Sequence, residues 1–482
     1  MKTLLGLFFA GIIAVVQGQS CTTYQVPKDF FFAAATAAFQ VEGGAKADGK
    51  GASIWDIWTH YFPGVITDNS NGDIACDSYH LYKVDIQNLK KLGVQQYRFS
   101  ISWPRILPDG NANSVNPAGI QYYNNLINEL IAAGIEPMAT MFHFDTPTTL
   151  SDAGGWLSRD IVDKFGDYAR VLYQNFGDRV KNWLTINEPL SISTWGYCGL
   201  DGVQAPGNFS MQCPWSKYLS AHYLILAHAK AYIIYDREFR SRQRGRVGIV
   251  LSTGWYTPAT NTTEDIAAAN RARDFALGWF AEPIFFGDYP QSMKEGIASK
   301  STSEGYTTSR LPEFSPLEKL LLKGSADWLG INYYYGFSIN NRVTFPYGIP
   351  QEQVDGSTNR NVLYPYPQGL RSVLNYASQT YKVPVVVTEN GYSDGTGTLD
   401  DTIRIDFLRD HIIATLQARQ DGANIQGYTV WSLMDNMEWS SGYTVKYGLY
   451  QVNFTDPNRT RTPKASASWY TNVIAQRSIN SC

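Results

Sequence analysis

Along the chain, one pattern recurs eight times: a short apolar run rich in β-branched and aromatic residues, then a longer stretch whose apolar positions fall three and four apart. The runs are FFFAAATAAFQ (30–40), VQQYRFSISW (94–103), EPMATMFHF (136–144), RVKNWLTINE (179–188), RVGIVLSTGWY (246–256), DWLGINYYY (327–335), VPVVVTENGY (383–392) and IQGYTVWSLM (425–434). Short apolar runs of this kind predict buried strands. Between them, LYKVDIQNLKKLG, IQYYNNLINELIAAG and IVDKFGDYARVLYQNFG have helical spacing, and each ends in a glycine suited to a helix C-terminus. Strands alternating with helices predict a parallel sheet. Eight such units predict an α/β fold of the closed (β/α)8 TIM-barrel type, formed by one domain over residues 19–482. An open doubly wound sheet fits the count less well, and the chain lacks a GxGxxG phosphate loop.

Barrels of this kind place their functional groups at the C-terminal ends of the strands. Reading those ends gives Gln40, Trp103, His143, Asn187 with Glu188, Trp255, Asn332 with Tyr333, Glu389 and Trp431. A barrel that served only as a scaffold would not need polar and aromatic groups gathered at one end of otherwise apolar runs. Two of these residues are carboxylates, Glu188 in TINEP and Glu389 in TENG, at the ends of the fourth and seventh strands. Those strands stand on opposite sides of a barrel mouth, so the carboxylates are expected to face each other. Glycoside hydrolysis needs such a pair: one group protonates the leaving oxygen while the other attacks the anomeric carbon or activates water.

Composition narrows the picture. The net charge is −3 with no long basic run, which argues against a nucleic-acid partner. Aromatic residues make up 14% of the chain, with 13 Trp and 31 Tyr; most belong to the core, and some are candidates to stack on sugar rings. MKTLLGLFFAGIIAVVQG has the basic start, apolar run and small terminal residue of a secretory signal, with cleavage expected after Gly18. No later stretch reaches the roughly 18 apolar residues of a membrane span, so a soluble, secreted, extracellular protein is expected. Five cysteines remain: Cys21, Cys76, Cys198, Cys213 and Cys482. Cys198 and Cys213 are the expected disulfide, the other pairings stay open, and the odd count leaves one thiol over. No CxxC or HxxxH cluster accompanies them, so no metal site is expected. Four glycosylation sequons, at Asn208, Asn261, Asn453 and Asn458, agree with secretion.

From about residue 26 to 470 the chain resembles family 1 glycoside hydrolases, the β-glucosidase family, in a secreted animal-type form. The blocks that carry the resemblance are FFFAAATAAFQVEG, NGDIACDSYHLYKVDI, YRFSISWPRILP, HFDTP with GGW, TINEP, GINYYYG, VVVTENGY and WSLMDNMEWSSGYTVKYGLYQVNF, in that order. The resemblance implies a retaining β-glycosidase without cofactor, acting on small-molecule β-glycosides or oligosaccharides. Glu389 would be the nucleophile, kept ionised by Arg98 and the Tyr333 hydroxyl, with Asn332 in support. Glu188 would be the general acid and then the base, its protonated form favoured by burial and by the charge on Glu389. A carboxyl separation of about 5–5.5 Å would accompany the retaining course. Gln40, His143, Asn187 and Glu438 would bind sugar hydroxyls, Glu438 those at O4 and O6, with Trp431 and Trp439 as stacking surfaces.

Some positions depart from the family pattern. Phe144, Thr146 and Thr148 replace Trp, Leu and Gln; Met437 and Tyr447 stand where Phe is common; Ala34 sits near an expected Gly. These changes bear on the outer pocket and the aglycone. Glu438 and Trp439 replace the Ser/Lys/Tyr set of members that bind 6-phospho sugars. A thioglucosidase or an enzyme for a particular defence glycoside is the alternative, although plant thioglucosidases carry Gln where Glu188 stands. A non-catalytic sugar-binding protein would typically lose one of the two glutamates.

Overall fold

A computed structural model describes residues 21–199, 204–344 and 351–482. The expected signal segment, residues 1–18, lies outside them. Eight strands close into a barrel of all-parallel neighbours in chain order: β1 (Phe31–Ala35), β2 (Gln96–Ser100), β3 (Glu136–Phe142), β4 (Asn182–Asn187), β5 (Arg246–Ser252), β6 (Trp328–Asn332), β7 (Val385–Asn390) and β8 (Ile425–Trp431), which returns to β1. β2, β4, β6 and β7 are buried along their whole length, as a parallel sheet covered on both faces requires. Met138, Leu184, Val250, Trp328 and Val386, one from each of β3 to β7, pack as a cluster of their own. Met138 lies two residues before Thr140, whose hydroxyl meets Arg98, so pleat alternation puts this cluster inside the barrel beneath a polar layer.

The three glycine-ended patterns are helices: Ser78–Leu92, Pro117–Ala132 and Asp160–Phe176. Gly93 ends the first in the left-handed region, at φ 76°, and its N–H closes on Leu89 and Lys90 carbonyls. Gly177 after the third keeps φ −70°; there a Cβ would sit 2.0 Å from the Gln243 side chain, so close packing rather than a turn requires glycine.

The strand reading was too long at several ends, among them Trp103, which opens a short helix, Trp103–Ile106, after β2 stops at Ser100. β1 stops at Ala35, and Gln40 sits in a short helix, Ala38–Val41. β5 stops at Ser252, and Tyr256–Pro258 joins a separate sheet with Gly336–Asn341 and Thr358–Leu363. β6 stops at Asn332. At these last three ends apolar residues continue because they pack above the barrel, so hydrophobicity alone does not mark the end. The chain ends meet as well: Thr23–Gln25 pairs antiparallel with Ser478–Asn480, and Cys21 is joined to Cys482. The expected Cys198–Cys213 disulfide is present, and Cys76 is a buried free thiol. No helix among the described residues is long and apolar enough to cross a membrane.

Candidate active site

The C-terminal mouth of the barrel opens into a cavity of about 770 Å³ that Glu188 and Glu389 both line. Each carboxylate is delivered by an irregularity in its strand. The register slips between Leu184 and Asn187 at the β4–β5 seam, and between Val387 and Glu389 at the β6–β7 seam. Such slips re-aim the side chains that follow them. Glu188 also takes a left-handed backbone, φ 47° and ψ 62°, at the entry to the short helix Pro189–Ser191. Phe144 (φ 77°) and Trp439 (φ 47°) line the same cavity in the same region of backbone space. Non-glycine residues there cost on the order of 1–3 kcal/mol each, and such strain collects at functional sites.

Each Glu389 oxygen has its own donor. Its Oε1 accepts from Arg98 Nη1 at 2.6 Å and its Oε2 from the Tyr334 hydroxyl at 2.8 Å. Arg98 is itself fixed by Thr140, the Thr388 carbonyl and the Asn187 side-chain oxygen. Burial pushes the Glu389 carboxyl up to about 7, with Glu188 adding to the rise, while Arg98 and the Tyr334 hydroxyl pull it down. Among the described residues, Glu188 meets only neutral donors: Asn332 Nδ2 at 2.6 Å on Oε1 and the Ser191 hydroxyl at 2.6 Å on Oε2.

Asn187 and Asn332 bind the two halves together. Asn332 Nδ2 also donates to Asn187 Oδ1 at 3.1 Å, and its Oδ1 accepts from Thr388. With Asn187 Oδ1 used by Arg98 and Asn332, its amide nitrogen donates to His143 Nε2 at 3.1 Å. Burial and the Arg98 guanidinium hold His143 well below its usual value, so the ring is neutral. Its proton therefore sits on Nδ1, which has no protein partner and is left as a donor. The ring stacks between Trp431 and Trp439, each 5.8 Å away. Gln40 Nε2 donates to Asn436 Oδ1, the Met437 carbonyl and Glu438 Oε2, while its Oε1 is left without a protein partner. Burial, and then the charge of Glu389, push the Glu438 carboxyl up to about 8.

The structure thus gathers Gln40, Arg98, His143, Asn187, Glu188, Asn332, Glu389, Trp431, Glu438 and Trp439 at one mouth. Tyr333 is the exception and is corrected. Its hydroxyl points away to the Tyr366 carbonyl at 2.7 Å, and its ring packs on His411. The neighbour, Tyr334, reaches Glu389. Side chains alternate across a strand, and Asn332 already faces the mouth, so the next inward position is two residues on. Counting by two from Asn332 would have found Tyr334. Ser191, three residues after Glu188 on the following helix, was missed in the same way, as were Thr140 and Asn436. Trp103 and Trp255, read as strand ends, pack outside the mouth, against Tyr168 and Tyr376. The outer cavity wall carries Leu190, Trp195, Tyr256, Phe275, Phe337 and Val362, three of them on the separate sheet.

The chain is similar to known proteins over nearly all of its described length. The family profile described as "Glycosyl hydrolase family 1" matches residues 22–479. "Myrosinase 1" of Brevicoryne brassicae is 43% identical over 94% of this chain and 99% of its own length. "Beta-glucosidase 13" of Arabidopsis thaliana is 44% identical, covering 94% and 93%. Among solved structures, an aphid myrosinase superposes with a TM-score of 0.90 at 43% identity, covering 94% of this chain and 99% of that one. A rice β-glucosidase mutant in a covalent complex with Glc gives 0.87 at 40% identity, covering 92% and 98%.

Proposed function

The chain belongs to glycosyl hydrolase family 1, and from that premise we propose how its cavity works: Glu389 is the nucleophile and Glu188 the acid and then the base of a retaining β-glucosidase-type enzyme. In the first step a Glu389 oxygen attacks the anomeric carbon, the bond to the aglycone oxygen breaks, and that oxygen takes the proton from Glu188. In the second, Glu188 removes a proton from water, the water oxygen attacks the same carbon, and Glu389 leaves as a carboxylate. Two inversions at one carbon retain the β configuration. The observation that carries this reading is the 2.6 Å Arg98–Glu389 ion pair opposite a Glu188 that has no cation, both in one cavity. The covalent Glc complex of the rice relative supports the double displacement.

Gln40, His143, Asn187 and Glu438 take the sugar hydroxyls. The His143 Nδ1–H and Gln40 Oε1 supply a donor and an acceptor that no protein group uses. Trp431 and Trp439 supply the stacking faces. The outer wall mixes apolar faces with Thr194, Gln204 and Arg360, and Glu188 supplies the acid that an oxygen leaving group needs, which favours O-glycosides over thioglucosides. Secretion is part of the same reading, supported by the leader sequence, by two disulfides, and by sequon asparagines 208, 261, 453 and 458, all exposed.

Proton NMR of an early reaction on an aryl β-glucoside tests the mechanism. The β-anomer of the sugar is expected first, and an initial α product would overturn it. A paired O- and S-glucoside panel is expected to show higher kcat/KM on the oxygen series.

A further inference from the structure

Behind the sugar-binding carboxylate lies a buried ion pair that no catalytic step uses. Lys464 Nζ donates to Asp435 Oδ1 at 2.8 Å, and neither side chain is exposed. Asp435 sits three residues before Glu438; Lys464 immediately precedes the helix Ala465–Gln476, far from the cavity lining. The same Asp435 oxygen accepts from Gly448 N–H at 3.0 Å. Main-chain bonds then fasten the two arms: Asp435 N–H to the Tyr450 carbonyl, Leu449 N–H to the Ser432 carbonyl, and Lys464 N–H to the Leu449 carbonyl. Gly448 is pressed so close that a Cβ there would sit 2.0 Å from the Asp435 nitrogen. On its other side the segment meets the sugar site directly. Asn436 Oδ1, the Met437 carbonyl and Glu438 Oε2 all accept from the single Gln40 amide, and Met437 N–H returns a bond to the Gln40 carbonyl.

We propose that the Asp435–Lys464 pair is a positioning strut for sugar recognition: it fixes the 435–438 segment so that Glu438 and Gln40 are presented together to one edge of the sugar ring. The inference rests on the reading of Glu438 as the acceptor for the O4 and O6 hydroxyls. Geometry gives it its force. Rigid supports set the placement of contact groups, and a misplacement of about 1 Å costs on the order of 10²-fold in rate. The Asn436 amide adds bonds to Ser432 and the Met434 carbonyl, and in this dry interior the Lys464 N–H to Asp435 Oδ1 hydrogen bond fixes direction as well as distance. Nearby, Arg404 bridges Asp394 and Asp401 and bonds the Tyr392 carbonyl, so the adjoining 391–401 segment has a clamp of its own.

The experiment compares kcat and KM on an aryl β-glucoside and on the matching aryl β-xyloside, which lacks the hydroxymethyl group. Three variants are compared: Asp435→Asn, Glu438→Gln and both together. Asp435→Asn keeps the shape and the Gly448 contact, so it is expected to fold; Lys464→Met with Asp435→Leu, an apolar pair of similar volume, is the second route if it does not. Asp435→Asn should raise KM for the glucoside at least about tenfold and for the xyloside, which keeps the O4 contact but has no O6, several-fold less. In the Glu438→Gln background it should add almost nothing, because the group it positions is already disabled. Equal losses on both sugars, or losses that multiply in the double variant, would show general loosening and overturn the strut. If Glu438→Gln itself fails to separate glucoside from xyloside, the reading of Glu438 falls and the strut with it. If Glu438→Gln separates them and Asp435→Asn does not, the strut alone falls.

Discussion

The ends of β4 and β7 carry the same functional group in opposite surroundings. At β7, Glu389 has a guanidinium at 2.6 Å and a phenol at 2.8 Å, each on its own oxygen. At β4, Glu188 has an amide and a hydroxyl and no cation. Both are buried and both line one cavity. The difference lies in where the protein has committed a positive charge. A carboxylate beside a fixed cation serves as an anion. Glu188, among neutral donors, has no such partner among the described residues. Two identical side chains thereby stand in two different environments, the pattern that the proposed nucleophile and acid/base roles require.

Removing the anion should have the largest effect. Glu389→Ala is expected to lower kcat by at least roughly four orders of magnitude while the protein still folds, since nothing else in the site can form the glycosyl bond. Circular dichroism checks the fold, and a rate near that of the parent would end the nucleophile role. Next comes the proton. Glu188→Gln should cost about 10²–10⁴-fold on alkyl glucosides and much less on glucosides of acidic phenols, whose departure needs little acid help. A Brønsted series over leaving groups measures this, and equal losses across it would contradict the role.

The third change attacks the asymmetry itself. Arg98→Met strands a buried carboxylate, which is expected to cost about 3–5 kcal/mol of stability. It should also move the acid limb of kcat/KM. Glu389 must be ionised to attack, so activity falls as pH drops through its value, about 7 in the intact site. Arg98 pulls that value down, so its loss raises it, and the limb should shift to higher pH; a limb that stays put or moves to lower pH would refute the assignment. The smallest effect concerns the phenol. Tyr334→Phe removes one hydrogen bond to a charged group and should cost about 10–100-fold in kcat. Tyr333→Phe should leave kcat within about twofold, and the reverse order would restore Tyr333 to the site.

That last pair shows how far the sequence could be read. The eight runs, the helices between them and the two glutamates at strand ends are local patterns, and local spacing is enough to read them. Tyr333 and Tyr334 are chemically the same and adjacent in YYY, so composition could not choose between them; the course of the chain just past the end of β6 did. Gln40 was assigned to a strand end because FFFAAATAAFQ stays apolar throughout, yet the chain turns into a helix after Ala37. Ser191 and Asn436 have no motif that announces them, and they matter only because Glu188 and Gln40 point their way.

By itself, then, the sequence determined the repeating strand–helix order, the closure into a barrel and the presence of a carboxylate pair, because each follows from residue spacing within a few turns or strands. Tertiary structure alone decided which phenol meets Glu389, how Cys21 finds Cys482, and that Lys464 pairs with Asp435 behind the segment bearing Glu438. Those contacts join residues from 29 to 461 positions apart. They depend on strand register, bulges and the twist that closes the sheet, and no local pattern carries that information.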